Sequence, residues 1–244
     1  MGRLKAFFGT LSLLIAGALV VLATPQPLFA HQMTYGRFQI WSDRPIDEAA
    51  AETVLADAQG RIAKSGLYTA DQTFRLFVCN DNWKLALYSQ HFSGALGGVA
   101  DTWFTRNIYL RRVDWAANQI IPPGGWMYDR ADRPLSYYVA HEATHVMESR
   151  ALGRLAMLSH PQWMNEGYAD YVGKAGQFDQ AANLALLRAG DPKLDYAKSG
   201  LYRRFHLEVA YELDHRRLTA KQLFALKTPE AKVLADLSAD PTFR

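Results

Sequence analysis

The pentapeptide His141-Glu142-Ala143-Thr144-His145 most constrains how this 244-residue chain can fold. Residues 135 to 152 run without a helix breaker, so we predict one continuous helix there. In a helix the two histidines lie one turn apart on the same face, where both imidazoles can bind one metal ion. The pentapeptide by itself leaves one alternative open, a pair of helix-surface histidines with no metal.

A catalytic zinc site needs a third protein ligand and leaves one position open for water. A third histidine six residues after His145 is excluded, because Ala151 stands there. His160 could serve, but it lies in a predicted loop. Glu166 is favoured, because a second predicted helix over 162–172 would return antiparallel and bring its carboxylate to the histidines. The predicted ligands of one Zn²⁺ per chain are His141, His145 and Glu166.

Two further carboxylates receive roles. Glu142 stands between the histidines, where it can reach a water at the metal and act as the general base. Asp170 follows Glu166 by four residues and so lies on the same helical face. Metal-bound histidines usually donate their second ring N–H to a carboxylate, and we predict Asp170 for that role. Judged alone, Glu166 and Asp170 could equally be solvated helix acids.

These residues carry a family resemblance that covers about 35 residues. The pattern His141-Glu142-x-x-His145 followed by Trp163-x-Asn165-Glu166-Gly167-x-Ala169-Asp170 resembles the gluzincins, zinc metallopeptidases related to thermolysin, and most closely the small bacterial peptidase MA-like domains. The resemblance implies a zincin-like fold, with Glu166 as the third zinc ligand and Asp170 orienting a zinc-binding histidine.

The resemblance also implies an oxyanion donor, a tyrosine or histidine on a later helix. Tyr202 is our first candidate because it lies near the start of a predicted helix over 200–214. His206 and Tyr211 lie further along the same helix. The competing interpretation of Tyr202 is a core-edge residue of an amphipathic helix.

In such a fold, the substrate main chain usually pairs with an exposed edge strand beside the metal. The predicted substrate-binding segment is Gly97, Gly98, Val99 and Ala100, because glycines permit close backbone approach. A plain hairpin turn is the alternative. The Gly-x-Met-Glu-Asn motif with which related aminopeptidases hold the free amine of a substrate is missing from the sequence, which disfavours exopeptidase specificity.

The N-terminus has the order of a secretory signal. Arg3 and Lys5 precede an uncharged run from Ala6 to Ala23, and a proline-containing segment follows as far as Ala30. The run is also long enough for an uncleaved anchor in the inner membrane over residues 6–23. In either case we predict that the rest of the chain is exported to the periplasm or otherwise lies outside the cytoplasmic membrane.

The composition of the chain restricts which other classes of protein and which cysteine chemistry are compatible with it. Hydrophobic residues make up 49% and charged residues 21%, as in an ordinary globular protein, and the net charge of +3 is too small and dispersed for nucleic-acid binding. Cys79 is the only cysteine, so neither an internal disulfide nor a cysteine zinc cluster can form. It ends an apolar run, which favours a core thiol over a reactive one.

Hydrophobic periodicity predicts an α+β fold. The front part should contain strands and helices over 37–42, 46–64, 73–79, 82–91, 98–104 and 107–111. A Pro/Gly cluster over 121–125 should form a loop. The rear part should be helical over 135–152, 162–172, 179–188, 200–214, 219–225 and 229–237. We predict a targeting segment over 1–30 and one zincin-like domain over 31–244, with a small mixed sheet in its α/β part (31–120) and the metal site in its helical part (130–244).

The sequence thus predicts an extracytoplasmic zinc metallopeptidase that acts on a peptide or protein, contacts the membrane if its N-terminal segment is retained, and binds no nucleic acid. Two rivals remain at this point. One is a catalytically silent zincin-fold domain that binds an envelope protein or component. The other is a metal-free structural domain anchored in the membrane.

Overall fold

The computed structural model describes residues 2–89, 96–122 and 132–243, without the side chains of residues 2–6 and 156. These residues form the α+β architecture that the periodicity predicts. The strands are β1 His31–Tyr35, β2 Phe38–Ser42, β3 Phe74–Cys79, β4 Gly98–Ala100, β5 Asn107–Arg111, β6 Val113–Asp114 and β7 Gln119–Ile120. The helices are α1 Gly2–Ala23, α2 Glu48–Ile62, α3 Asn82–Ser89, α4 Leu135–Leu152, α5 Ala156–Ser159, α6 Gln162–Lys174, α7 Gln180–Arg188, α8 Tyr196–Ser199, α9 Arg203–Ala210, α10 Ala220–Ala225 and α11 Glu230–Ala239.

Five strands form one mixed sheet in the order β1-β2-β3-β5-β4. The pairs β2/β3 and β3/β5 are parallel, whereas β1 and β4 pair antiparallel with their neighbours at the two sides. A parallel centre is normally covered on both faces. The side chains of β3 accordingly alternate between a large core that contains Leu76 and Val78 and a small core that contains Phe77 and Cys79. Cys79 is therefore a core thiol, as predicted.

Helix α4 lies in the middle of the helical half, in contact with α2, α6 and β4. Its side chains from Leu135 to Ser149 are all buried, including polar ones, which is unusual unless they have partners or a function. Helix α6 in turn packs on α9 at very short range. A β-carbon added at Gly167 would stand 2.6 Å from the carbonyl oxygen of Phe205, so glycine is what lets these two helices approach.

Two details of the sheet differ from the sequence prediction. Strand β1 is missed, because an edge strand with no buried side chain gives little hydrophobic signal. The predicted continuation of β4 through Phe104 is wrong, since Asp101 closes a turn there. The Asp101 carboxylate accepts hydrogen bonds from the N–H groups of Phe104 and Thr105 and from the Thr105 hydroxyl, which competes with strand pairing.

Helix boundaries shift for identifiable reasons. Helix α2 begins after Asp47, whose side chain caps it by accepting from the N–H of Ala50. Helix α6 does not stop at Gly173 but continues to Lys174, and Ala175 caps it in the left-handed conformation. The helix predicted from Gly200 begins at Arg203 and continues as a π-helix over Tyr211–His215. The predicted end of α3 near residue 91 and the loop over 123–125 lie outside the described residues.

The N-terminal segment forms helix α1, and most of its apolar side chains are exposed. Its last turn touches the rest of the protein, since Leu22 packs against the small core beside Phe29 and Tyr88. Within the described residues, no helix is long and apolar enough to cross a membrane.

Candidate metal centre

Three candidate ligand atoms from α4 and α6 lie close together. The Nε2 atoms of His141 and His145 are 3.3 Å apart. Oε2 of Glu166 lies 3.3 Å from the first and 3.8 Å from the second. Ligands at 2.0–2.1 Å from a tetrahedral zinc ion are separated by about 3.3–3.4 Å. The donor types and spacing therefore fit one zinc ion, and these three residues form the only such group within the described part of the chain.

The Glu166 carboxylate is directed at the two histidines. Its Oε2 atom is buried and faces the Nε2 atoms of His141 and His145. Burial alone would raise the pKa of Glu166, but its interactions with His141 and His145 hold that pKa well below the usual range. His160, the other candidate ligand, stands apart and packs on the ring of Phe224, with ring centroids 5.1 Å apart.

The first turn of α6 is fixed in place by Asn165, the residue before Glu166. Its side-chain amide donates to the carbonyl oxygens of Met157 and His160, at 3.1 and 3.4 Å. Trp163 on the same turn is fully buried. The turn that carries Glu166 is thus held both by hydrogen bonds and by packing.

His145 has a direct carboxylate partner that the sequence analysis missed. Oε2 of Glu148 lies 3.3 Å from Nδ1 of His145, and the Glu148 side chain is fully buried. Burial raises the pKa of Glu148 to about 7. Burial alone would lower the pKa of His145, but Glu148 and Glu166 together raise it well above its ordinary value. The spacing of three residues on one helix is the signal that could have identified Glu148.

Asp170 is linked to His141 through a third residue. The Tyr137 hydroxyl donates to Oδ1 of Asp170 at 2.6 Å and lies 3.3 Å from Nδ1 of His141. The direct histidine partner of Asp170 is His206, whose Nδ1 lies 2.9 Å from Oδ2. The predicted direct hydrogen bond from a candidate metal ligand to Asp170 is therefore wrong, because the Tyr137 hydroxyl lies between Asp170 and His141. The sequence analysis did not single out Tyr137.

Glu142 faces the strand β4. A β-carbon added at Gly98 would stand 3.2 Å from its Cγ and 3.3 Å from its Oε1, and the nearby N–H of Ala100 acts to lower its pKa. Burial raises the pKa of Glu142 above its ordinary value, while the neighbouring His141 and His145 oppose the shift. Such a shift moves a carboxylate toward the range in which it can exchange protons near neutral pH.

Tyr202 is the one of the three oxyanion candidates that contacts the cluster. Its ring stacks on His141, with centroids 5.5 Å apart and planes within 11°. Burial raises its pKa well above the ordinary value, and the nearby Glu166 carboxylate adds to the shift. His206 instead binds Asp170, and the Tyr211 hydroxyl lies 3.4 Å from Asp240.

The four predicted substrate-binding residues run alongside α4. Gly98, Val99 and Ala100 form β4, the last strand on its side of the sheet among the strands described, and β4 pairs antiparallel with β5 across the Asp101 turn. A β-carbon added at Gly97 would stand 2.7 Å from the ring of Tyr138, so glycine lets this segment pack closely on α4.

No protein-family model, curated protein or solved structure matches this chain. The site itself combines three features with chemical meaning. Two imidazoles and one carboxylate can bind a divalent metal ion, a second carboxylate beside them can hold a proton, and an edge strand alongside can pair with an extended chain.

Proposed function

We propose that this chain is a zinc-dependent metallopeptidase of the gluzincin type, with a zincin-like fold, that hydrolyses peptide bonds. One observation supports this most directly. Glu142 lies beside the cluster of His141, His145 and Glu166 and against β4, an arrangement that supports a proton acceptor acting between a metal ion and a bound peptide.

His141, His145 and Glu166 would hold one Zn²⁺. Such an ion supplies Lewis acidity, which polarises a scissile carbonyl group and acidifies the attacking water. Glu142 accepts the proton of that water and returns it to the leaving amine. Its raised pKa suits both halves of this task, because a general base that later acts as an acid works best with a pKa near the working pH.

Two other parts of the site would act on the substrate. The main chain of Gly97 to Ala100 pairs with the peptide as an added strand and places the scissile bond beside Glu142. Tyr202, stacked on His141, donates a hydrogen bond to the oxygen on which negative charge develops.

The proposed place of action is outside the cytoplasmic membrane. The charged, apolar and proline-containing order of the N-terminal segment supports export by a secretory signal. The substrate is then a peptide or protein of that compartment.

Glu142→Gln tests the proposal, because it keeps the shape of the side chain and removes its ability to take a proton. A peptide-library digest should show cleavage by the wild type and at least about 100-fold less by the variant. Both proteins should bind one zinc ion per chain. Glu52→Gln, at an exposed position of α2, is the matched control and should retain full activity.

Two results would count against the peptidase. Cleavage that survives Glu142→Gln would remove the general base from the mechanism. Stoichiometric zinc in the wild type without cleavage of any peptide would favour a zincin-fold binding module instead.

A further inference from the structure

A chain of four buried side chains begins at the candidate ligand His141 and ends at His206 on helix α9. The chain of contacts runs from Nδ1 of His141 to the Tyr137 hydroxyl over 3.3 Å, from that hydroxyl to Oδ1 of Asp170 over 2.6 Å, and from Oδ2 of Asp170 to Nδ1 of His206 over 2.9 Å. Each of the four residues is at most 4% exposed. Water therefore competes little for these hydrogen bonds.

The direction of each hydrogen bond follows from the charge of Asp170. Burial alone would raise its pKa, but the hydrogen bond with His206 and the positive charges of Lys174 and Arg133 hold that pKa well below the usual range. Asp170 is therefore a carboxylate, which can only accept. The single hydroxyl proton of Tyr137 goes to Asp170, consistent with the short distance of a charge-assisted bond.

The Tyr137 oxygen is then left with lone pairs that face His141. A favourable contact at that position requires a proton on Nδ1 of His141. With the proton on Nδ1, the lone pair of Nε2 is free, and Nε2 is the atom that lies within 3.3 Å of both His145 and Glu166. The chain of hydrogen bonds thus selects the tautomer that can bind a metal ion.

Two members of the chain, His206 and Tyr137, are held by packing. His206 stacks on Phe178 with ring centroids 3.7 Å apart. A β-carbon added at Gly173 would stand 3.0 Å from the ring of Tyr137, which leaves that ring little freedom to rotate away. The geometry is therefore preformed by contacts outside the three ligands.

We propose that Tyr137 and His206 are positioning residues of the metal centre, which act through Asp170 to fix the orientation and the Nδ1-protonated tautomer of His141. This inference rests on the proposed metal site and extends it beyond the single residue Asp170. His145 does not depend on this chain of hydrogen bonds, because it contacts Glu148 directly.

The test is zinc affinity, measured by competition with a chromophoric chelator at fixed pH. Tyr137→Phe removes only the hydroxyl and should weaken Zn²⁺ binding by about 10- to 100-fold. His206→Leu, which leaves Oδ2 of Asp170 without its donor, should weaken it by about 10-fold. His206→Asn can place an amide N–H where Nδ1 stands and should restore most of the affinity.

Tyr109→Phe is the matched control. Tyr109 is also buried, and its hydroxyl accepts a hydrogen bond from Asn107 at 2.9 Å, but it belongs to the small core on the other face of the sheet. Removal of the Tyr109 hydroxyl should lower the melting temperature without changing the affinity for zinc. A merely structural role for Tyr137 and His206 would give the same result as this control.

The outcomes separate the two proposals. Wild-type affinity for Zn²⁺ in both Tyr137→Phe and His206→Leu would overturn the positioning role and leave the metallopeptidase standing. Equal losses in His206→Leu and His206→Asn would also overturn it, because the donor would then be irrelevant. If the wild type binds zinc but cleaves no peptide, and the variants lose zinc affinity as expected, the positioning role is supported while the proposed function fails.

Discussion

The carboxylate of Glu142 lies directly against the backbone of Gly98. A β-carbon at Gly98 would stand 3.2 Å from Cγ and 3.3 Å from Oε1 of Glu142. Any other residue at position 98 would therefore press on the proposed general base. The close approach of β4 to α4 at this point explains why a glycine stands on the edge strand.

Gly98→Ala should reduce peptide hydrolysis by up to about 10-fold, because Glu142 must shift by a few tenths of an ångström, and a displacement of about 1 Å can cost about 100-fold. The new methyl group would also stand 2.7 Å from Cδ2 of Leu110, but that atom is at the end of a flexible side chain and can move away. Zinc content should stay at one ion per chain. The measurements are kcat/KM on a cleaved peptide and metal analysis of the purified variant.

Gly60→Ala is the matched control for that substitution. Gly60 lies inside α2 with no atom within 4 Å of an added β-carbon, so the variant should keep full activity and gain up to about 1 kcal/mol of stability. An unchanged kcat/KM in Gly98→Ala would show that β4 and Glu142 are not coupled in catalysis.

Glu148→Gln should weaken zinc binding by about 10- to 100-fold, because the residue that orients His145 loses its negative charge. The substitution keeps the shape of a fully buried side chain, so the fold should be retained. Chelator competition gives the affinity, and thermal unfolding of the metal-free protein reports the fold.

Glu212→Gln provides the comparison. Glu212 is also fully buried, but its partner is Arg216 at 3.1 Å rather than a candidate ligand. If both variants bind zinc as the wild type does, Glu148 has no part in the metal centre.

The cluster of ligand atoms could be predicted because it depends on short-range rules. His141 and His145 are one helical turn apart on α4. The position of Glu166 could be predicted because it depends only on the packing of α6 on α4. The residues that hydrogen-bond to the two histidines were harder to predict. Tyr137 and Glu148 stand one turn from the two histidines, on the same helix, but tyrosine and glutamate are ordinary residues in any helix.

The contact between Asp170 and His206 could not be predicted, because it depends on how closely α6 and α9 pack. That distance is set by Gly167 against the backbone of Phe205, a contact between helices far apart in the sequence. The turn after β4 was missed for a related reason. Its stability comes from three hydrogen bonds to the Asp101 side chain, which outweigh the strand propensity of Thr102 and Trp103.

Glu208 should make the stability of the protein depend on pH. Its side chain is fully buried on α9, and neither carboxylate oxygen accepts a hydrogen bond from the described residues. Burial raises its pKa from 4.5 to about 8, with Arg204 opposing the shift at 3.8 Å. Because the folded pKa is the higher one, the stability that the protonated form provides is complete below about pH 4.5 and is lost as the pH rises toward 8.

Glu208→Gln cannot lose a proton, so it should unfold at a higher temperature than the wild type at pH 8 and at nearly the same temperature at pH 5. Between pH 4.5 and about 8, each pH unit lowers the free energy of unfolding of the wild type by up to about 1.4 kcal/mol. Thermal melts of the metal-free proteins at pH 5, 6.5 and 8 measure the difference, and the exposed Glu52→Gln should show none. The protons of His145 affect wild type and variant alike and cancel in the comparison. A difference that stays constant with pH, or that grows toward pH 5, would mean that Glu208 is already ionised in the folded protein.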